Sequence, residues 1–159
     1  MYEPSGGWDF VQYPAVPYIS LLRWIAIARN ISYFCADVDK MIVISRGTEL
    51  LRVPACRLVY ISADGNYSNV VTQDNRKQIV SFQLGQIEDL IGEQLEGDGN
   101  NFIRLGRGLI INLDFVYSID LSKQKLVMSD CLNCYHELSA SREVLTKLKT
   151  YLDPTSNNG

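Results

Sequence analysis

From Met41 onward the chain alternates short apolar runs with tight polar breaks. Met41–Arg46 and Leu50–Val53, parted by Gly47-Thr-Glu, read as a hairpin. Runs at Leu58–Ala63, Tyr67–Thr72 and Gln78–Phe82 follow, with Asp64-Gly-Asn and Asp74-Asn-Arg between them. The period then changes. Leu84, Ile87, Leu90, Ile91 and Leu95 recur at helical spacing, so Leu84–Leu95 is predicted as an amphipathic helix, stopped by Gly97-Asp-Gly-Asn-Asn. Phe102–Leu105, Leu109–Asn112, Val116–Leu121, Lys125–Ser129 and Tyr135–Leu138 return to strand length and strand composition. Ser141 is placed to cap a closing helix whose Val144, Leu145, Leu148 and Leu152 share one side. The pattern predicts a mainly β fold with α elements: one internal helix and one C-terminal helix. It does not order the strands.

Residues 1–40 read differently. Pro4, Pro14 and Pro17 forbid a continuous helix at the start. Tyr18–Phe34 then has the apolar density of a short helix that needs burial on more than one side, on its own domain, as a homodimer contact or in association with a membrane. Its apolar run, Tyr18–Ala28, falls short of the roughly 20 residues that span a bilayer, and Arg23 and Arg29 interrupt any longer version, so no membrane insertion is expected. Residues 41–152 form the folded domain in this reading, and 153–159 a polar, mobile tail.

Three of the polar breaks carry more hydrogen-bonding chemistry than a turn requires. Asp64-Gly-Asn supplies residues that tolerate positive φ, yet Asn66, Tyr67, Ser68 and Asn69 set four donor–acceptor side chains in a row. Asn66 serves equally as a left-handed turn residue, and Tyr67 as packing on the sheet. Arg107 stands between Gly106 and Gly108, on a turn that lets the backbone approach a partner closely. A guanidinium there can meet guanine O6 and N7 bidentately or grip a phosphate. Alternation places Arg104 on the same face as Gly106, in a supporting or phosphate-contacting position. Ser141 and Arg142 open the last helix, where backbone N–H groups can hold a phosphate.

These segments also carry a family likeness. Tyr60-Ile-Ser-Ala-Asp-Gly-Asn-Tyr67, then Phe102-Ile-Arg-Leu-Gly-Arg-Gly-Leu-Ile-Ile-Asn-Leu113, then Ser139-Ala-Ser-Arg142 resemble, in order, three landmarks of the LytTR-type DNA-binding domain of bacterial transcription regulators. The resemblance runs from about Met41 to Leu152. It implies an elongated array of short antiparallel sheets. It also implies that Asn66, Tyr67, Ser68, Asn69, Arg104, Arg107, Ser141 and Arg142 face double-stranded DNA, reading direct repeats with loops. The chain departs from that family where its His and Ser neighbours of the central Arg are Gly106 and Gly108. About 40 residues before the domain are too few for the receiver many members carry, so a regulator without one is expected.

Composition narrows this picture only in part. The net charge of −3 gives no nucleic-acid signature, and residues 40–152 hold 13 basic and 13 acidic side chains. Placement therefore matters more than total: Glu88, Asp89, Glu93, Glu96 and Asp98 cluster in one helix-like segment, whereas Arg104, Arg107 and Arg142 sit near the polar breaks, and a protein can turn an acidic face away from DNA. A protein-interaction module on the same fold is the alternative that this neutrality favours. Cys131-Leu-Asn-Cys134 followed by His136 offers a redox or metal switch, but zinc needs four placed ligands, and Cys35 and Cys56 form no second pair. No cofactor, metal site or catalytic constellation is expected, so the chain is not read as an enzyme. Met1-Tyr-Glu-Pro lacks a basic leader, which makes reduced thiols and a cytoplasmic location the expectation.

Overall fold

The computed structural model describes residues 40–95 and 101–155. The helix expected over 18–34 lies outside them. Among the described residues, ten strands and two α-helices follow in the order β1 (Met41–Arg46), β2 (Glu49–Pro54), β3 (Leu58–Asp64), β4 (Tyr67–Thr72), β5 (Lys77–Val80), α1 (Leu84–Gln94), β6 (Phe102–Leu105), β7 (Leu109–Asn112), β8 (Val116–Asp120), β9 (Lys125–Ser129), β10 (Tyr135–Ser139) and α2 (Arg142–Leu152). The strands make three antiparallel sheets. β1 and β2 form a hairpin, β10-β9-β8 a three-stranded sheet, and β5-β4-β3-β7-β6 a five-stranded one.

The five-stranded sheet is covered on both faces, which is why β7 reads Leu-Ile-Ile-Asn without alternation and is buried throughout. On one side, Leu84, Ile87, Ile91 and Leu95 pack with Ile42, Ile44 and Val53 of the hairpin and with Ile61, Val70 and Ile110 of the sheet. On the other, Val59, Leu105, Leu109 and Ile111 meet Phe115, Leu126, Met128, Leu145 and Leu148. Each such side chain taken fully out of water contributes about 1.5–3 kcal/mol. The β3–β4 register shifts between Leu58 and Tyr60. The bulge lets consecutive Val59 and Tyr60 both reach the second core, which strict alternation forbids.

Two short 3₁₀ turns, Ala55–Arg57 and Leu113–Phe115, lead into β3 and β8 and have no hydrophobic period to announce them. Asn112 ties them together. Its buried amide donates to the Leu58 carbonyl at 2.9 Å, and its Oδ1 accepts from the Asp114 N–H at 3.1 Å.

Strand β5 ends at Val80, not at the expected Phe82. The carbonyls that would continue the ladder are taken by side chains. Arg46 donates to Ser81 O at 2.6 Å, with its guanidinium 5.5 Å above the Phe82 ring, and Ser68 donates to Phe82 O at 2.8 Å. At the other end of α1, the Gln94 amide lies along β1. Val43 N–H donates to Gln94 Oε1 at 2.7 Å, and Gln94 Nε2 donates to Val43 O at 2.9 Å.

Candidate nucleic-acid interface

β3 and β7 are antiparallel neighbours, with Ser62 opposite Leu109. The turn that leaves β3 and the turn that enters β7 therefore stand at the same end of the sheet. Ala63 N–H donates to Gly108 O at 2.8 Å and fastens one turn to the other. The β6–β7 turn in its place lies over the start of α2. Gly106 holds φ +63°, and a β-carbon there would sit 3.8 Å from Val144 Cγ2. Between them runs an open groove of about 400 Å³, lined by Ser62, Gly106, Arg107, Leu138, Ser141 and Val144. Segments some 80 residues apart in the chain thus share one rim.

In the first bend the left-handed residue is Gly65, at φ +62°, and not Asn66. Positive φ at the first of two turn residues is the type II′ arrangement that suits hairpin twist. Asn66 and Tyr67 are exposed, Tyr67 by 52%. Ser68 and Asn69 correct the expectation of four side chains displayed in a row. Both lie inside β4 and are buried, because a strand between two covered faces hides consecutive residues. The Ser68 hydroxyl is committed to Phe82 O, and Asn69 Nδ2 reaches Asp64 Oδ2 at 3.4 Å. Strand boundaries at 67 and 72, already legible in the sequence, carried the signal that placed them.

Arg107 tops the second bend and is exposed. Arg104 sits beneath it. Its Nε donates to Gly106 O and its Nη2 to Arg107 O, each at 3.2 Å, and its Nη1 pairs with Glu88 Oε2 on α1. Glu88, grouped by sequence with an acidic face turned away, is thus a partner of this bend. In the third segment Ser141 caps α2, its hydroxyl oxygen accepting from Val144 N–H at 3.4 Å. Arg142 is exposed at the first helical position. Among the described residues neither Arg107 nor Arg142 makes an ion pair, whereas Arg76, Arg104, Lys123, Lys125 and Lys147 each do.

The cysteine segment is organised around Asp130. Its Oδ1 accepts from the N–H groups of Leu132, Asn133 and Cys134, each at 2.9 Å, and its Oδ2 from the Gln73 amide at 2.9 Å. Burial alone would raise the Asp130 carboxyl. The hydrogen bonds from Cys134, Gln73, Leu132 and Asn133 outweigh it and hold the group below its usual range. Cys134 is buried, and desolvation together with the Asp130 charge pushes its thiol up to about 11. Cys131 is exposed at φ +64°, and both thiols are free. His136 packs edge-on against Tyr60, ring centroids 5.3 Å apart, and burial lowers its pKa. Among the described residues no three His, Cys, Asp or Glu side chains gather as a metal site would require.

The sequence profile of the LytTr DNA-binding domain family matches residues 48–153. Among solved structures, a LytTr DNA-binding domain from Bacillus cereus superposes with a TM-score of 0.50 at 16% identity, over 71% of this chain and 96% of that one. At that identity the likeness concerns the fold. Curated proteins give no match.

Proposed function

The chain belongs to the LytTr DNA-binding domain family, and from that premise we propose that it is a transcription regulator that selects particular sequences in double-stranded DNA. The loops Asn66–Tyr67, Gly106–Gly108 and Ser141–Arg142 enter neighbouring grooves along one side of the duplex, over direct repeats. The observation that carries this reading is the shared rim: the bend bearing Arg107 is joined to the first bend by the Ala63–Gly108 hydrogen bond and shares one groove with Ser141, the neighbour of Arg142, and both arginines are exposed without ionic partners among the described residues. Arg107 reads a base edge, and Arg142 with the first turn of α2 holds phosphate or a second base. Ser68 and Asn69 act from inside β4 by fixing the loop rather than by touching DNA. A second copy, held through the N-terminal segment, would set a second group of loops on the neighbouring repeat.

Mobility of random genomic fragments across a salt series tests the proposal. A steep salt slope with enrichment of one sequence is the expected result. Absence of any shift at low salt favours the interaction module, which draws its support from the neutral charge and from Gly106 and Gly108 in place of the family's His and Ser.

A further inference from the structure

Arg107 rides on a turn with a glycine on each side, and glycine leaves the backbone more conformational freedom than any other residue. A side chain that must meet a base edge from such a turn loses that freedom on binding, unless something has already fixed it. Arg104 supplies three contacts that bear on this. Two of its nitrogens donate to the consecutive carbonyls of Gly106 and Arg107, and a third pairs with Glu88 of α1. The side chain is only 31% exposed, and its charge is matched by a carboxylate on a helix packed into the core. The two peptide planes cannot rotate without breaking a charge-assisted hydrogen bond.

We infer that Arg104 is a positioning residue, holding the Gly106–Gly108 turn so that Arg107 is presented in one orientation, and that it does not itself touch nucleic acid. This rests on the DNA-reading proposal above. The planar fork of arginine is what allows adjacent carbonyls and a carboxylate to be reached at once. Lysine, a single nitrogen on a flexible stem, lacks that geometry.

The test compares wild type with Arg104→Met, Arg104→Lys, Arg107→Ala and the Arg104→Met/Arg107→Ala double variant. Each is assayed on the duplex selected by wild type and on an unrelated duplex across a salt series. Amide hydrogen exchange over residues 105–109 is followed without DNA. Arg104→Met is expected to speed exchange in the turn and to weaken selected-duplex binding about tenfold, the factor that accompanies loss of order at roughly one backbone residue. Unrelated-duplex affinity and the salt slope stay at wild-type values, Arg104→Lys does not rescue, and the loss vanishes in the Arg107→Ala background. A salt slope reduced by about one, with losses that add to those of Arg107→Ala, makes Arg104 a direct phosphate contact and overturns the inference. So does unchanged exchange with unchanged selectivity. If wild type selects no duplex while Arg104→Met still loosens the turn, the DNA-reading proposal falls and the bracing role of Arg104 stands on exchange alone.

Discussion

Ala63 and Gly108, 45 positions apart, are joined by a 2.8 Å backbone hydrogen bond at the end of the five-stranded sheet. The bond ties the first two bends together at their bases, and the start of α2 borders the same groove. On that footing Arg107→Ala and Arg142→Ala should each weaken binding to the selected duplex by about 1–3 kcal/mol, while affinity for unrelated duplex changes far less. Fluorescence anisotropy titrations on both duplexes provide the measurement. Equal losses on the two would reassign the residue concerned to backbone contact.

Neighbours in the first bend should separate cleanly by phenotype. Ser68→Ala removes a buried hydroxyl and strands the Phe82 carbonyl, which should cost about 1–3 kcal/mol of stability in urea unfolding. Tyr67→Ala, at an exposed position, should leave the urea midpoint nearly unchanged and register only in DNA affinity.

Asn112→Ala should be among the more destabilising single changes in the domain, at roughly 2–4 kcal/mol. It deprives the Leu58 carbonyl of its donor and removes the acceptor of the Asp114 N–H, and the Asn112 amide that makes both bonds is itself buried. Thermal or urea denaturation compared with Asn112→Asp, which retains the acceptor but loses the donor, divides the two contributions.

Asp130 ties stability to acidity. Its carboxyl titrates lower in the folded chain than in the unfolded one, so its contribution is complete above the unfolded value of about 3.9 and is lost as pH falls through that value toward the folded one. The stability difference between wild type and Asp130→Asn should therefore narrow below about pH 4. His136 also favours the unfolded chain on acidification, because burial lowers its pKa. That effect is common to both proteins and cancels in the difference. A gap that holds constant down to pH 3 would contradict this role.

Thiol labelling at about pH 8, followed by peptide mapping, should find Cys131 modified in the native protein and Cys134 only after unfolding. Burial and the Asp130 charge keep the second thiol protonated at that pH. Equal labelling rates would revive a redox function for the pair.

The β-rich domain was readable because each strand is bounded by turn residues and both helices announce themselves by period: Ile87 and Ile91 in α1, Leu145 and Leu148 in α2. Strand order was not, since β7 lies between β3 and β6 through contacts that no local pattern encodes. The same gap hid the most consequential contact near the candidate site. Arg104 and Glu88 stand in different elements 16 residues apart, and only the packing of α1 on the sheet brings them together. Ser68 and Asn69 misled for another reason. Polarity suggested display, whereas the covered faces of β4 turned those groups to internal hydrogen bonds.

A helix side chain completes, at Val43, the pairing that a foreign strand would otherwise supply. An extended peptide arriving at that border finds both main-chain groups already engaged, and intermolecular sheet growth has no foothold there. Gln94 therefore acts as a plug at that one point of the border, besides holding the helix against the first hairpin.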